Sequence, residues 1–156
     1  MASPRAHRAT GWAAGVMAAA IVARSGHAGP FYLWSLVACL AGAAGGTAPD
    51  WLELAWWSRR RRRWIAHRSL THWGIGWIGL LAYGYLTLST HPWAAAVLGF
   101  AGGGVMHLLA DWPNPLGVPW IARRHSLGWW NSGRCDGLVV GLAWLAALAT
   151  VAQGWA

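Results

Sequence analysis

Residues 93–120 read WAAAVLGFAGGGVMHLLADWPNPLGVPW. From Trp93 to Ala110 the stretch is apolar, and about 20 mostly apolar residues are what an α-helix needs to cross a bilayer. His107 sits in its last turn, Asp111 follows four residues later, and a proline-rich turn ends it. Ionisable groups crowded at one end of an apolar helix are costly there unless paired or coordinated, which makes them candidates for function.

Four further apolar segments flank this one, roughly Thr10–Ala23, Phe31–Ala48, Trp73–Ser89 and Leu138–Ala156. The whole chain of 156 residues is 56% hydrophobic and 10% charged, with 21 Gly and 15 Trp. Gly lets helices approach closely in lipid and Trp sits well at the headgroup level. The expectation is an all-α, polytopic membrane helical bundle of about five spanning helices, forming a single domain over residues 1–156. The first segment also has features of a signal peptide, with Arg5 and Arg8 before an apolar stretch and small residues around Gly26 and Ala28. Arg24 and His27 fit poorly before a cleavage site, so it is read as a retained helix.

Arginine orients the bundle. All twelve basic residues are Arg, and five spans place all but Arg24 on one side: Arg5, Arg8, Arg59 through Arg63, Arg68, Arg123, Arg124 and Arg134. The positive-inside rule makes that side cytoplasmic, with the N-terminus on it. Trp56, Trp57, Trp64, Trp73, Trp112, Trp120, Trp129 and Trp130 flank the same ends. A net charge of +8 can signal nucleic acid, but basic residues placed between apolar stretches fit anionic membrane lipids better, each Arg contributing about 1 kcal/mol near the surface. Cys39 and Cys135 follow no CxxC spacing and imply no structural disulfide.

The four acidic residues, Asp50, Glu53, Asp111 and Asp136, all fall at cytoplasmic helix ends, as do His67, His72 and His107, with His7 and His125 in cytoplasmic segments. Carboxylates and imidazoles at one level form a metal-ligand inventory, suited to a divalent transition metal such as zinc, manganese or iron. His107 and Asp111, four apart, share a helical face and can chelate one ion. Asp50 and Glu53, three apart, are neighbours on a turn just after Pro49 ends or bends the second span. His67 and His72 lie roughly 140° apart on an ideal helix, so they converge only if His67 lies in the connection and His72 in the first turn of the next helix, with Ser69 as N-cap. Each residue alone has an ordinary reading: an interfacial histidine, or an ion pair such as Asp136 with Arg134. Their joint placement on one face favours metal.

The segments TAPDWLE (47–53), AHRSLTHW (66–73) and GGGVMHLLADWPNPLGVPW (102–120) resemble the YdjM-like family of inner-membrane-associated metal-dependent hydrolases. That family's pattern is Pro-Asp after an apolar helix, His-Arg-x-x-Thr-His, then His-x-x-x-Asp before a Pro-x-Gly-Val-Pro turn. The resemblance implies that Asp50, His67, His72, His107 and Asp111 are ligands. It adds His7, where such proteins often carry an N-terminal histidine, and Asp136, where they tend to open the last helix with Glu. The sequence departs where the family continues Pro-Asp-x-Asp: position 52 is Leu and the next carboxylate is Glu53. The family is in turn distantly similar to zinc-dependent phospholipase C and the zinc nucleases, which favours phosphoester chemistry.

The expected function is therefore a metal-dependent hydrolase of the cell inner membrane, acting on a phosphoester or lipid phosphate at the cytoplasmic surface. Asp50 is the candidate bridging ligand or general base, and Arg68 the candidate clamp on a phosphoryl oxygen. The alternatives are a non-enzymatic protein holding metal for structure or sensing, and a scaffold recruiting a cytoplasmic partner through the Arg run. Transport fits poorly, because the polar groups lie at helix ends and not at the bilayer midplane.

Overall fold

The computed structural model describes residues 1–55, 70–129 and 133–154. It is mostly helical, with six α-helices among the described residues: α1 (Pro4–Arg24), α2 (Leu33–Gly45), α3 (Ala48–Ala55), α4 (Gly74–Thr87), α5 (Ala94–Asp111) and α6 (Asp136–Ala152). Each of the five apolar segments holds one helix, and α3 is an additional short one. Leu70–His72 forms a 3-10 turn leading into α4. A two-residue hairpin, β1 (Val118–Pro119) antiparallel to β2 (Arg124–His125), lies in the connection between α5 and α6.

Two boundaries differ from the hydropathy reading, and both shape the site. The first helix begins ahead of Thr10 because Ser3 caps it, its Oγ accepting from the Ala6 amide at 3.2 Å, while Pro4 occupies the first turn where its missing N–H is not needed. His7 is thereby on a helix. The second apolar segment ends at Gly45, and α3 restarts at Ala48 with Pro49 in its first turn. The break leaves the Gly46 carbonyl outside the α2 hydrogen-bond ladder.

Helix α1 lies in the middle, packed against α2, α5 and α6, while α2 and α4 each also pack on α5. Small residues make the central contacts. A methyl group at Gly15 would overlap the Cys39 carbonyl, one at Gly99 the Ala38 carbonyl, and one at Gly103 the Gly42 carbonyl. A Cβ on Gly11 would come within 2.8 Å of the Gly46 Cα. Backbones so close exclude any side chain between them. On α4 and α5, Gly104 receives the ring of Trp77.

The interior is accordingly Ala-rich, with Ala13, Ala14, Ala18, Ala38, Ala95 and Ala101 buried, and large apolar side chains such as Ile78, Leu86, Leu142, Leu145 and Leu148 point outward. Helix α5 is long and apolar enough to cross a membrane, the one such helix among the described residues; α2 and α6 are apolar but shorter.

The close approach can be tested at two glycines. Gly15→Val should destabilise the bundle by about 1–3 kcal/mol through overpacking. Gly141, whose Cβ would meet open space, should accept Ala with no loss and a gain of up to about 1 kcal/mol. Unfolding of the purified protein in mixed micelles measures both, and a tolerated Gly15→Val would refute the backbone contact.

Candidate metal centre

Four elements meet at one end of the bundle. Helix α5 brings His107 and Asp111 on one face, α1 brings His7, α3 brings Asp50 and Glu53, and the 3-10 turn brings Thr71 and His72. The His7 and His107 rings stack with centroids 3.7 Å apart and planes at 13°. His72 meets His107 edge-on at 5.2 Å.

The ligand atoms converge. Asp50 Oδ1 lies 3.5 Å from His72 Nε2 and 3.6 Å from His107 Nε2. Asp111 Oδ1 lies 3.5 Å from His7 Nε2, and its Oδ2 3.8 Å from His107 Nε2. Two groups result, Asp50–His72–His107 and His7–His107–Asp111, each with ligand atoms within 4.8 Å of one another. Donors around a tetrahedral ion with bonds of roughly 2.1 Å stand about 3.4 Å apart, close to these separations.

The outer partners fix which nitrogen faces inward. A carbonyl can only accept, so the 2.9 Å contact between His107 Nδ1 and the Gly46 oxygen puts the proton on Nδ1 and leaves Nε2 as a donor atom for a ligand. His72 is held likewise: Nδ1 lies 3.2 Å from Glu53 Oε1 and 3.2 Å from Thr71 Oγ1, and the Thr71 hydroxyl donates to the same Glu53 oxygen at 3.1 Å. Carboxylate or carbonyl behind the histidine is the usual second layer of a metal site. The Ala2 amide donates to Asp111 Oδ1 at 2.9 Å, tying the start of the chain to the end of α5.

Burial makes the donor set expensive as it stands. His72, His107 and Asp111 are fully buried and His7 is 2% exposed. Neither ring nitrogen of His7, nor His107 Nε2, nor Asp50 Oδ1 has a hydrogen-bond partner among the described residues. Each unmet buried polar group costs about 1–3 kcal/mol, and a cation in either group would satisfy the donor atoms facing it, His107 Nε2 with Asp50 Oδ1 or with His7 Nε2. The nitrogen and oxygen donors, without thiolate, fit a divalent transition ion. Asp50 alone opens outward, its side chain 40% exposed although Oδ1 is buried. Burial pushes its carboxyl up, but the His72 contact and the neighbouring imidazoles of His107 and His7 outweigh that and hold it below the usual carboxylate range.

Of the residues singled out in the sequence, the structure thus gathers His7, Asp50, His72, His107 and Asp111, with Glu53 behind His72. Asp136 is in neither group; its carboxylate accepts the Ser3 amide at 3.0 Å and anchors the chain start. His125 stands apart too, its Nδ1 accepting from Trp112 Nε1 at 2.8 Å. His67, Arg68, Ser69 and Arg59 through Arg63 lie outside the described residues. Sequence reasoning missed the Gly46 carbonyl and Thr71. Gly46 had no signal beyond its glycine pair, whereas Thr71 lay in view inside HRSLTH. Asn114 is buried in the turn after α5, where its Nδ2 donates to the Ala110 carbonyl at 3.1 Å and its own carbonyl accepts from Ser126 Oγ at 2.6 Å.

A model of the YdjM inner membrane protein family matches residues 1–155. The chain belongs to that family. No curated protein and no solved structure gives a match. Membership places the chain with inner membrane proteins, and the match runs through all the elements that build the centre.

Glu53, behind His72, and Asp136, at the Ser3 amide, separate by role. Glu53→Gln should weaken metal binding about 10- to 100-fold by loosening His72, whereas Asp136→Asn should leave affinity within about twofold, since it acts on the Ser3 amide. Competition against a chromophoric chelator measures both, and equal effects would refute the assignment.

Proposed function

We propose that this chain is a multi-pass inner-membrane hydrolase of phosphoesters that works through a divalent metal held by Asp50, His72 and His107. Asp50 carries the reading: structural metal sites are closed, catalytic ones keep an open position, and the Asp50 side of this centre reaches the surface. Zinc suits the donors best, with manganese and iron as alternatives. When bound, the metal would polarise a phosphoryl oxygen and lower the pKa of its water to about 7. The chain's residues do the positioning. Glu53 and Thr71 fix His72, the Gly46 carbonyl fixes His107, and Asp50, with Oδ1 facing the ion, would take a proton from the attacking water on Oδ2. His67 would complete the ligands, and Arg68 would grip a phosphoryl oxygen with its paired N–H groups.

The His7–His107–Asp111 group favours a second reading for itself. All three residues are buried, which suits an ion held for structure or sensing.

Five spans, α1, α2, α4, α5 and α6, with the N-terminus cytoplasmic, fit the outward-facing large apolar side chains and the Arg distribution. The centre then lies at the cytoplasmic surface, against anionic lipid. A cytoplasm-dependent reporter fused after residue 156 should be silent; an active one would mean an even number of spans.

The protein purified in mild detergent should retain about one to three transition-metal ions. His107→Ala, which removes the ligand common to both groups, should abolish retention. Asp50→Asn should slow hydrolysis of a phosphoester by about 10²- to 10⁴-fold, and chelation should stop it. A metal-loaded protein inert toward phosphomonoesters, phosphodiesters and lipid phosphates would leave the structural or sensing reading in its place.

A further inference from the structure

A cavity of about 570 Å³ adjoins the centre, lined by Leu52, Thr71, Trp73, Trp77, Leu80 and Phe100, with Gly76 between the tryptophans. Thr71 is its one hydroxyl, and that hydroxyl touches both Glu53 and His72. The cavity therefore begins at the outer layer of the ligand set, and everything beyond is hydrocarbon or aromatic ring.

Its course follows from the helices. Gly76, Trp77 and Leu80 share one face of α4, with Trp73 at its N-cap, so the cavity tracks the start of that helix for roughly 10 Å. Helix α5 contributes Phe100, which packs beside Trp77 with its ring 5.5 Å away and lies 6.5 Å from Trp51. Phe100 precedes His107 by seven residues, on nearly the same face of α5 and about 10 Å further from the end that carries the ligands. Under the five-span arrangement that direction leads from the headgroup level toward the bilayer interior. At the floor Gly76 projects no side chain and leaves room for the Trp73 ring, 3.1 Å from where a Cβ would stand, while Trp77 lies against Gly104, its Nε1 donating to the Thr71 carbonyl at 2.7 Å.

Resting on the phosphoester reading, we propose that this cavity holds the hydrocarbon chain of a membrane lipid whose phosphate lies at the Asp50 side of the centre, so that the substrate is a lipid phosphate and not a soluble phosphoester. A soluble ester would reach Asp50 without using the cavity. An apolar cavity that reaches Thr71, the residue behind His72, and runs along α4 away from the ligand end matches a molecule with a phosphate at one end and a hydrocarbon chain at the other. Leu80 and Gly76 would then set which chains are accepted.

The test reconstitutes the full chain in phosphatidylglycerol–phosphatidylethanolamine vesicles containing phosphatidic acid with a photoactivatable group on its acyl chain. Adducts on Gly76, Trp77, Leu80 and Phe100 should exceed those on the outward face of α6 (Leu138, Leu142, Leu145) about tenfold, and Leu80→Trp should remove that excess. Gly76→Leu fills the space from the other end and should do the same, so the proposal stands or falls even if one variant misfolds. Equal labelling of both faces, or an excess that survives both variants, would overturn it. A second arm compares kcat/KM for long-chain phosphatidic acid with that for glycerol phosphate, and the ratio should fall at least about tenfold in either variant. Wild-type protein that hydrolyses neither substrate defeats the phosphoester reading, while the labelling still decides the cavity.

Discussion

Backbone contact among α1, α2 and α5 is the constraint on which the rest depends. Gly11 stands one turn beyond His7 and Gly103 one turn before His107, and both press against the end of α2 at Gly42 and Gly46. With side chains at these positions the three helices would have to move apart until each new Cβ cleared the facing backbone. His7 and His107 could not then stack at 3.7 Å, nor could Gly46 hold His107 Nδ1 at 2.9 Å. The glycines are usually regarded as packing devices. Here their packing is also what sets the positions of the imidazoles.

Electrostatics opposes that assembly. Stacked imidazoles, a fully buried Asp111 and a half-buried Asp50 gather polar atoms where desolvation disfavours them. The outer contacts from Gly46, Glu53, Thr71 and Ala2 orient the donors without satisfying all of them. This is the arrangement expected when the remaining stabilisation comes from a cation, because binding a ligand to the folded state adds directly to its stability. An apolar replacement of the same volume would fold more easily; a bound cation would offset the cost.

The outer surface complements this interior. Large apolar residues face outward on α4 and α6 while the middle is mostly Ala and Gly, an arrangement that water would penalise and hydrocarbon tolerates. In an inner membrane protein the same surface that meets lipid can lead lipid toward the centre, and α4 begins two residues after His72. The helix that supports a ligand also forms a wall of the apolar cavity.

The sequence by itself determined the helices and most of the candidate ligands. Apolar runs are long and continuous, so α2, α4, α5 and α6 follow from composition, and His107 with Asp111 is legible because a four-residue spacing on a helix fixes two side chains to one face. Asp50 and His72 were legible as residue types at helix ends. Only the tertiary structure decided the division of labour. It put Glu53 behind His72, sent Asp136 to the Ser3 amide, and made His7 a stacked partner of His107 across a hundred residues of chain. It also recruited a backbone carbonyl, Gly46, which no side-chain pattern announces. The reason is geometric. Local spacing fixes relations within one helix, where the rise and turn per residue are constant. Relations between helices depend on how closely their backbones approach, and that was settled by the glycines of three helices acting together.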